Sequence, residues 1–308
     1  MRSTRLSERR LLALLVVCGS AACAQTPLPA PESVAALRAL DDAPTLRLAR
    51  EEKATAAFTA SLVSYLSDGL TVYALVAVPK QAPPPEGFPV VVANHGFHPD
   101  PPLYGITAGG EDWRPGDYYR SVPVLFAERG FLVVMPDYRG HNRSEGGAFV
   151  TLDNAVDYYA QDVLALVRAL EQLEAADTDN AFLWAHSMGG QVSLRALRAT
   201  DAFRAASLWS TAKVDDLLPA LATVTTPLLL QHGLHDETTP FTNTQRVLDA
   251  AVANGQPMAL FAYDDAAHFF GPALRPLAAD RDVQFFCTRA TRPLRACSAR
   301  GGSGEPPR

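Results

Sequence analysis

The stretch Ala181-Phe182-Leu183-Trp184-Ala185-His186-Ser187-Met188-Gly189-Gly190 decides how this chain folds. An apolar run enters it, a serine stands near its centre, and two glycines lead into a helical pattern. A strand, a sharp turn and a helix of this kind hold a serine in a strained backbone conformation, so that its hydroxyl stands clear of the sheet edge. The residues two before and two after the serine lie close together, and Ala185 and Gly189 are small enough for that. Gly190 lets the helix pack closely on the neighbouring strand.

Taken alone, this stretch is compatible with a simpler interpretation. The usual form of the motif is G-x-S-x-G, and Ala185 replaces its first glycine here. A Ser187 that only caps a helix N-terminus would leave the same pattern. The rest of the chain has to decide between the two interpretations.

The composition is that of an ordinary globular protein. The 308 residues are 48% hydrophobic and 19% charged, and the formal net charge is −6. This is enough apolar material for one large core. Because the body of the chain carries no basic block, nucleic acid is not expected as a partner.

The first 24 residues predict an export signal. Arginines precede the apolar segment from Leu11 to Val17, which is too short to span a bilayer. Two cleavage patterns fit equally well: Ser20-Ala21-Ala22-Cys23 resembles a lipobox that would leave Cys23 lipidated, and Ala22-Cys23-Ala24 suits ordinary cleavage before Gln25. The expected location is therefore periplasmic, secreted or outer-membrane-anchored, and a membrane is expected as a partner only through a lipid anchor at Cys23.

Export also changes how the cysteines are interpreted. Cys18 and Cys23 belong to the signal region, whereas Cys287 and Cys297 lie near the C-terminus. In an oxidising compartment these last two can form a disulfide, and the alternative is two unpaired thiols in a loose tail.

The pattern of apolar residues predicts one α/β domain. Residues 25–56 are expected to be a linker followed by a helix over 33–56, residues 57–286 a catalytic domain, and residues 287–308 a tail. An opening hairpin is expected from strands at Phe58–Leu66 and Val72–Val78. The alternating strands and helices that follow predict a doubly wound, mostly parallel sheet with antiparallel strands only at its start. The further predicted strands are Val90–Asn94, Phe131–Met135, the run ending at His186, Ala205–Trp209, Pro227–Gln231 and Met258–Tyr263, with helices over 118–128, 153–175 and 243–253.

Residues with catalytic chemistry follow several of these strands. In a doubly wound sheet the loops at the carboxyl ends of the strands converge on one edge. Here those loops carry His95-Gly96-Phe97, then Ser187, then Asp236, then His268. Serine, acid and histidine in this chain order are typical of hydrolases that use a nucleophile elbow. Glu237, Asp264 and Asp265 are the alternative acids if Asp236 is only a surface turn residue.

With these residues in place, the chain resembles an α/β-hydrolase and is similar to the catalytic domain of the prolyl-oligopeptidase and dienelactone-hydrolase group. The similarity runs from about Ser64 to Phe270. It rests on the opening hairpin, on the stretch Pro136-Asp137-Tyr138-Arg139-Gly140-His141-Asn142-Arg143-Ser144-Glu145-Gly146, on Asp236 in H-G-x-x-D and on His268 before Phe269. The chain departs from the group's pattern at Ala185 and at Thr239, where valine often precedes the proline. A β-propeller domain is not expected.

The resemblance implies covalent acyl transfer. Ser187 is expected to attack a carbonyl, His268 to take its proton, and Asp236 to orient the imidazole. The backbone N–H groups of Phe97 and Met188 are expected to meet the oxyanion. The substrate is expected to be a small ester, with a small peptide as the alternative, and a non-catalytic surface-binding lipoprotein is a third hypothesis. No cofactor and no metal are expected, because the sequence shows no metal-ligand spacing and no phosphate loop.

Other residues are expected to be structural. Arg139 and Asp137 are predicted to form a buried ion pair, and His95, His141 and His186 to act in packing or turns. The interval from Ser210 to Thr226 is too short for a large lid, so an open cleft is expected.

Overall fold

The computed structural model describes residue 37 and residues 45–103 and 115–298 of the chain. The predicted signal segment over residues 1–24, with Cys23, lies outside the described residues. So do almost all of residues 33–44 and the last residues of the predicted tail. No helix in the described ranges is long and apolar enough to cross a membrane.

Nine strands of the described chain form one sheet. They are β1 (Arg47–Ala54), β2 (Phe58–Ser67), β3 (Leu70–Pro79), β4 (Phe88–Asn94), β5 (Leu132–Asp137), β6 (Ala176–His186), β7 (Phe203–Trp209), β8 (Leu228–Gly233) and β9 (Met258–Tyr263). Their order in the sheet is β1-β2-β3-β5-β4-β6-β7-β8-β9. The pairs β1–β2, β2–β3 and β3–β5 are antiparallel, and the remaining pairs are parallel. The predicted fold class, a mostly parallel sheet with antiparallel N-terminal strands, is confirmed.

Helices cover both faces of this sheet. The described α-helices are α1 (Ser121–Ala127), α2 (Ala155–Ala169), α3 (Met188–Leu197), α4 (Thr242–Ala253), α5 (Leu274–Arg289) and α6 (Arg295–Ser298). Along β4, Val90 and Val92 join a core with α2, α3 and α4, whereas Val91 and Ala93 join a core with α1 and α5. Successive side chains of a strand point to opposite faces. The uninterrupted apolar runs of the sequence are therefore explained by strands that are buried on both sides.

The structure corrects the helix predicted over 33–56, because residues 47–54 form the edge strand β1. Its pairing with β2 runs from Arg47 opposite Ser64 to Ala54 opposite Thr59, with two irregularities in register. The spacing of the leucines and the charged residues after them suit a helix locally. Pairing with an open sheet edge overrides that weak preference, and charged residues are common on edge strands. The sheet therefore begins before residue 57.

The predicted tail is partly folded. α5 continues to Arg289, and the disulfide between Cys287 and Cys297 ties its end to α6, with the two Cα atoms 5.9 Å apart. Between the cysteines, Leu294 is buried, and the backbone N–H of Thr291 donates to Asn180 Oδ1 (2.8 Å). The boundary predicted at residue 286 therefore falls inside a helix, and the segment after it packs on the domain.

Candidate active site

The turn at Ser187 has the strained geometry that the elbow motif predicts. Ser187 joins β6 to α3 with φ 58° and ψ −123°, a conformation that costs a non-glycine residue on the order of 1–3 kcal/mol. Its backbone N–H donates to the carbonyl oxygen of Trp209 on β7 (3.0 Å). A Cβ added to Gly189 would lie 2.1 Å from the carbonyl oxygen of Asn94. Only glycine therefore fits where α3 starts against β4.

His268 and Asp236 form a hydrogen-bonded pair in the loops after β9 and β8. His268 Nδ1 lies 2.9 Å from Asp236 Oδ2, and both side chains are buried. Because a carboxylate only accepts, Nδ1 carries the proton and Nε2 remains as the proton acceptor. Glu237, Asp264 and Asp265, the alternative acids, are exposed. The structure places Asp236, and none of these alternatives, against the imidazole.

Donors hold the carboxylate of Asp236 in its charged form. The backbone N–H groups of Thr238 and Thr239 donate to Oδ1 (2.9 and 2.7 Å), and Thr239 Oγ1 and His232 Nε2 lie 2.8 and 3.2 Å from Oδ2. Burial alone would raise the pKa of Asp236, but the hydrogen bonds from His232, His268 and Thr239 hold it well below its usual value. A carboxylate that stays charged fixes the tautomer of His268 and stabilises its imidazolium form.

The loop that carries His268 lies directly against the serine turn. His186, the residue before Ser187, has its Nε2 2.9 Å from the carbonyl oxygen of His268, and the centroids of the two imidazoles are 4.7 Å apart. No hydrogen bond joins the Ser187 hydroxyl to His268, although the structure describes both residues. Such bonds are often long in unliganded enzymes and shorten when substrate binds.

Two backbone donors stand beside the serine. Phe97, Ser187 and Met188 line the same cleft. The turn after β4 comes so close that a Cβ added to Gly96 would lie 3.0 Å from Ser187 Cβ. Met188 is the first residue of α3, where N–H groups have no partner within the helix. The N–H groups of Phe97 and Met188 have no acceptor among the described residues, so both are available to an oxyanion.

The cleft in front of Ser187 is largely apolar and has a volume of about 570 Å³, which is in the range of small-molecule sites. Leu152, most of whose side chain is exposed, stands at its rim together with Phe97. The described part of its lining includes no Asp, Glu, Lys or Arg. Between Ser210 and Thr226, where a lid would be inserted, the chain forms only a short 3₁₀ helix at Leu218–Thr223. The described lining residues are Phe97, His98, Pro99, Pro101, His141, Val150, Thr151, Leu152, Ala155, Val156, Tyr159, Ser187, Met188, Gln191 and Ala212.

The structure corrects the ion pair predicted between Arg139 and Asp137. Arg139 is buried, but its Nη2 lies 2.7 Å from Asp162 Oδ1 and its backbone N–H donates to Asp162 Oδ2 (2.8 Å). Asp137 accepts from Asn142 Nδ2 (3.0 Å) instead. The sequence does contain a signal for this pair, because Asp162 lies on the apolar face of α2, where a carboxylate is found only with a partner.

Two family models match overlapping parts of the chain. The model described as serine aminopeptidase, S33 matches residues 116–214, and the model described as the prolyl oligopeptidase family matches residues 207–292. The first range contains Ser187, and the second contains Asp236 and His268. Neither range reaches half of the chain.

Individual proteins are similar to this chain over part or most of its length. A non-heme chloroperoxidase from Burkholderia pyrrocinia is 34% identical over 87 residues, which are 28% of this chain and 26% of that protein. The acetyl xylan esterase from Paenibacillus sp. R4 superposes with a TM-score of 0.63 at 14% identity, over 83% of this chain and 92% of the esterase. The acylaminoacyl peptidase from Pyrococcus horikoshii gives 0.61 at 19% identity, over 77% of this chain and 42% of the peptidase. The chain thus spans about a quarter of the curated relative and less than half of the peptidase, and the two solved structures share its fold.

Proposed function

We infer that this chain, an α/β-hydrolase by its fold and its family matches, is a serine hydrolase that cleaves a carboxylic ester through an acyl-enzyme on Ser187. One observation carries this inference. The buried pair of His268 and Asp236 lies against a strained serine turn, and this turn opens into a largely apolar cleft whose described lining has no Asp, Glu, Lys or Arg. A turn that served only as a helix cap would need neither an oriented imidazole nor two backbone donors that have no acceptor among the described residues.

The chemistry follows from the positions of these groups. Ser187 Oγ attacks the ester carbonyl carbon while His268 Nε2 takes the hydroxyl proton, and the oxyanion that forms is met by the N–H groups of Phe97 and Met188. His268 returns the proton to the departing alkoxide as the C–O bond breaks, which leaves an acyl group on Ser187. Water then attacks the acyl carbon while His268 Nε2 takes a proton from it. The bond between Ser187 Oγ and the acyl carbon breaks, His268 returns the proton to Oγ, and the carboxylic acid leaves. Each oxyanion donor is typically worth a factor of about 10²–10³ in rate.

The described part of the cleft suits an ester better than a peptide. A free peptide presents a charged amine or carboxylate, and an aminopeptidase needs a counter-charge near its substrate's N-terminus. The described lining of the cleft offers none. An alkoxide also leaves more readily than an amide nitrogen, so ester cleavage asks less of the site.

A probe experiment tests the assignment of the nucleophile. A fluorophosphonate should label the wild-type protein at Ser187, and Ser187→Ala should abolish both labelling and ester turnover. Ser193→Ala is the matched control, because Ser193 is a buried serine of α3 that does not line the cleft; its hydroxyl donates to Gly189 O (2.7 Å) and accepts from Asn94 Nδ2 (2.9 Å). Labelling that persists in Ser187→Ala would overturn the assignment. A wild type that neither labels nor hydrolyses any ester would favour the non-catalytic binding protein.

A peptidase activity is the second candidate, because both matching family models describe peptidases. Comparing kcat/KM for p-nitrophenyl acyl esters with that for aminoacyl-anilides separates the two candidates. Esters should be turned over faster. Faster turnover of the anilides would reverse the order.

We also propose that the protein is exported, either as a soluble form beginning at Gln25 or as a lipoprotein beginning at Cys23. The N-terminal pattern supports export, and so does the disulfide between Cys287 and Cys297, since such bonds persist in oxidising compartments. Mass spectrometry of the mature N-terminus distinguishes the two forms. A protein recovered only with its first 24 residues intact would contradict export.

A further inference from the structure

A series of three buried hydrogen bonds connects the three loops of the site. The backbone N–H of Gly96, in the oxyanion turn, donates to Tyr119 Oη (2.9 Å). Tyr119 Oη lies 2.7 Å from His186 Nδ1, and His186 Nε2 lies 2.9 Å from the carbonyl oxygen of His268. These hydrogen bonds therefore connect the oxyanion turn, through the residue before the nucleophile, to the backbone of the general base.

In each of these three hydrogen bonds only one of the two atoms can be the donor. The carbonyl of His268 can only accept, so His186 carries its proton on Nε2 and its Nδ1 accepts. Tyr119 must then donate its hydroxyl proton to His186 Nδ1, which leaves the phenol oxygen to accept from Gly96. Burial, followed by the electrostatic effect of the neighbouring His268 imidazole, lowers the pKa of His186 to about 3, so the His186 imidazole is neutral at physiological pH and keeps this tautomer.

The residues that form these hydrogen bonds are also closely packed. Tyr119 and His186 are both buried. A Cβ added to Gly96 would lie 2.4 Å from Tyr119 Oη and 3.0 Å from Ser187 Cβ. The oxyanion turn is thus held between the phenol and the nucleophile. The His186 ring also packs against Phe269, the residue after His268, with centroids 5.2 Å apart.

We propose that Tyr119 and His186 are positioning residues of the hydrolase, which hold the N–H of Phe97 and the imidazole of His268 in register with Ser187. This rests on the proposed function and adds a role that neither residue has in the triad. Neither side chain is among those that line the cleft. Both act through their neighbours: Tyr119 fixes Gly96 and with it the next peptide group, and His186 fixes the main chain at His268.

The hydroxyl of Tyr119 is the group on which this positioning depends. Tyr119→Phe keeps the ring and its packing but removes the acceptor of Gly96 and the donor to His186. The oxyanion turn can then shift by a fraction of an ångström, which is enough to weaken a donor that must meet the oxyanion at 2.7–3.1 Å. Such a shift affects the tetrahedral state more than the ground state, because only the tetrahedral oxygen needs that donor in place.

The test compares Tyr119→Phe with Tyr118→Phe. Tyr118 is equally buried, and its hydroxyl takes no part in the three hydrogen bonds. Tyr118→Phe therefore also removes one buried hydroxyl and serves as the matched control. Tyr119→Phe should lower kcat for a p-nitrophenyl ester by about 10- to 100-fold, a fraction of one donor's usual worth, with KM changed less than about twofold. It should weaken inhibition by a trifluoromethyl ketone, which forms a tetrahedral adduct on the serine, by a similar factor. Tyr118→Phe should leave all three values near those of the wild type.

Several results would overturn the proposal. Equal kcat in Tyr119→Phe, Tyr118→Phe and wild type would show that the hydroxyl positions nothing. A loss in Tyr119→Phe that appears in KM, with unchanged inhibition by the trifluoromethyl ketone, would show general damage to the cleft. A wild type without hydrolysis and without labelling at Ser187 would refute the proposed function, and this inference with it, so the two failures are distinguishable.

Discussion

Asp282, on α5, is a buried carboxyl whose replacement by asparagine should change the stability of the protein in a defined, pH-dependent way. Its Oδ1 accepts from Ser207 Oγ (2.5 Å), Gln231 Nε2 (2.5 Å) and Trp209 Nε1 (3.3 Å), beneath β7 and β8. Its Oδ2 has no partner among the described residues. Burial raises the pKa of Asp282 to about 8, against the three hydrogen bonds, which lower it.

The sign and size of the effect follow from this shift. An aspartate in the unfolded chain titrates near 3.8, so between about pH 4 and pH 8 the folded protein binds a proton that the unfolded chain does not. The stability linked to this group is full below pH 4 and is lost as the pH rises towards 8. Each unit of pKa difference corresponds to about 1.4 kcal/mol. In Asp282→Asn the new amide side chain cannot ionise and keeps an acceptor for the three donors, so the substitution removes this loss.

Urea unfolding at pH 5, 6, 7 and 8 measures the effect directly. The free energy of unfolding of Asp282→Asn, relative to wild type, should increase by roughly 1 kcal/mol per pH unit across this range. Asp249→Asn on α4, where the carboxylate is exposed, makes the same chemical change and should give a difference that does not depend on pH. Wild-type and Asp282→Asn curves that run parallel from pH 5 to pH 8 would refute the assignment of a neutral, buried acid.

Three further variants test other parts of the structure. Asp236→Asn should lower kcat by about 10³–10⁴-fold, because the imidazole of His268 loses the acceptor that fixes its tautomer; pre-steady-state ester cleavage measures it, and a loss below tenfold would point to another acid. Gly189→Ala should abolish labelling by fluorophosphonate, since its Cβ would lie 2.1 Å from a main-chain oxygen of β4, whereas Gly271→Ala, with open space around it, should label normally. Replacing Cys287 and Cys297 by serine should lower the free energy of unfolding by about 2–3 kcal/mol, the value for a closed loop of this length, and an unchanged urea midpoint would contradict this.

The sequence predicts which loops lie at one edge of the sheet better than it predicts where the sheet begins. Ser187, Asp236 and His268 lie in the loops that follow apolar runs, and parallel strands bring such loops to one edge of the sheet whatever the helices between them do. The start of the sheet has no such constraint. The stretch from Arg47 to Ala54 is charged and locally helix-like, and it becomes β1 only because β2 offers an unpaired edge. Local periodicity contains no information about that partner.

The same limit explains why the partner of Arg139 is mispredicted. Asp137 is the near carboxylate in the chain, but Asp162 lies on the facing helix and brings both a side-chain and a backbone contact. The elements that pack together determine which residues form an ion pair. The packing of α2 on the loop after β5 is a tertiary contact, which the local sequence does not show. The unusual position of Asp162 within an apolar helix face is the one local clue.

The contacts that hold the site together run largely to the main chain. Thr239 Oγ1 lies 2.9 Å from the carbonyl oxygen of Ser210 and 3.0 Å from His268 Nδ1, so the acid loop is tied both to the end of β7 and to the imidazole. Ser187 N–H is bonded to the carbonyl oxygen of Trp209, and His186 to that of His268. Every residue has a main-chain carbonyl that can accept a hydrogen bond, so such a bond requires no particular residue type at the acceptor. Only the donor side chain can be recognised in the sequence. Thr239 stands where valine often precedes the proline in the family that the chain resembles. It is such a donor, because its hydroxyl, unlike a valine methyl group, can donate to a nearby oxygen and accept from the imidazole N–H. The motif spacing therefore predicts which residues meet, whereas the hydrogen bonds that fix how they meet become visible only in the folded chain.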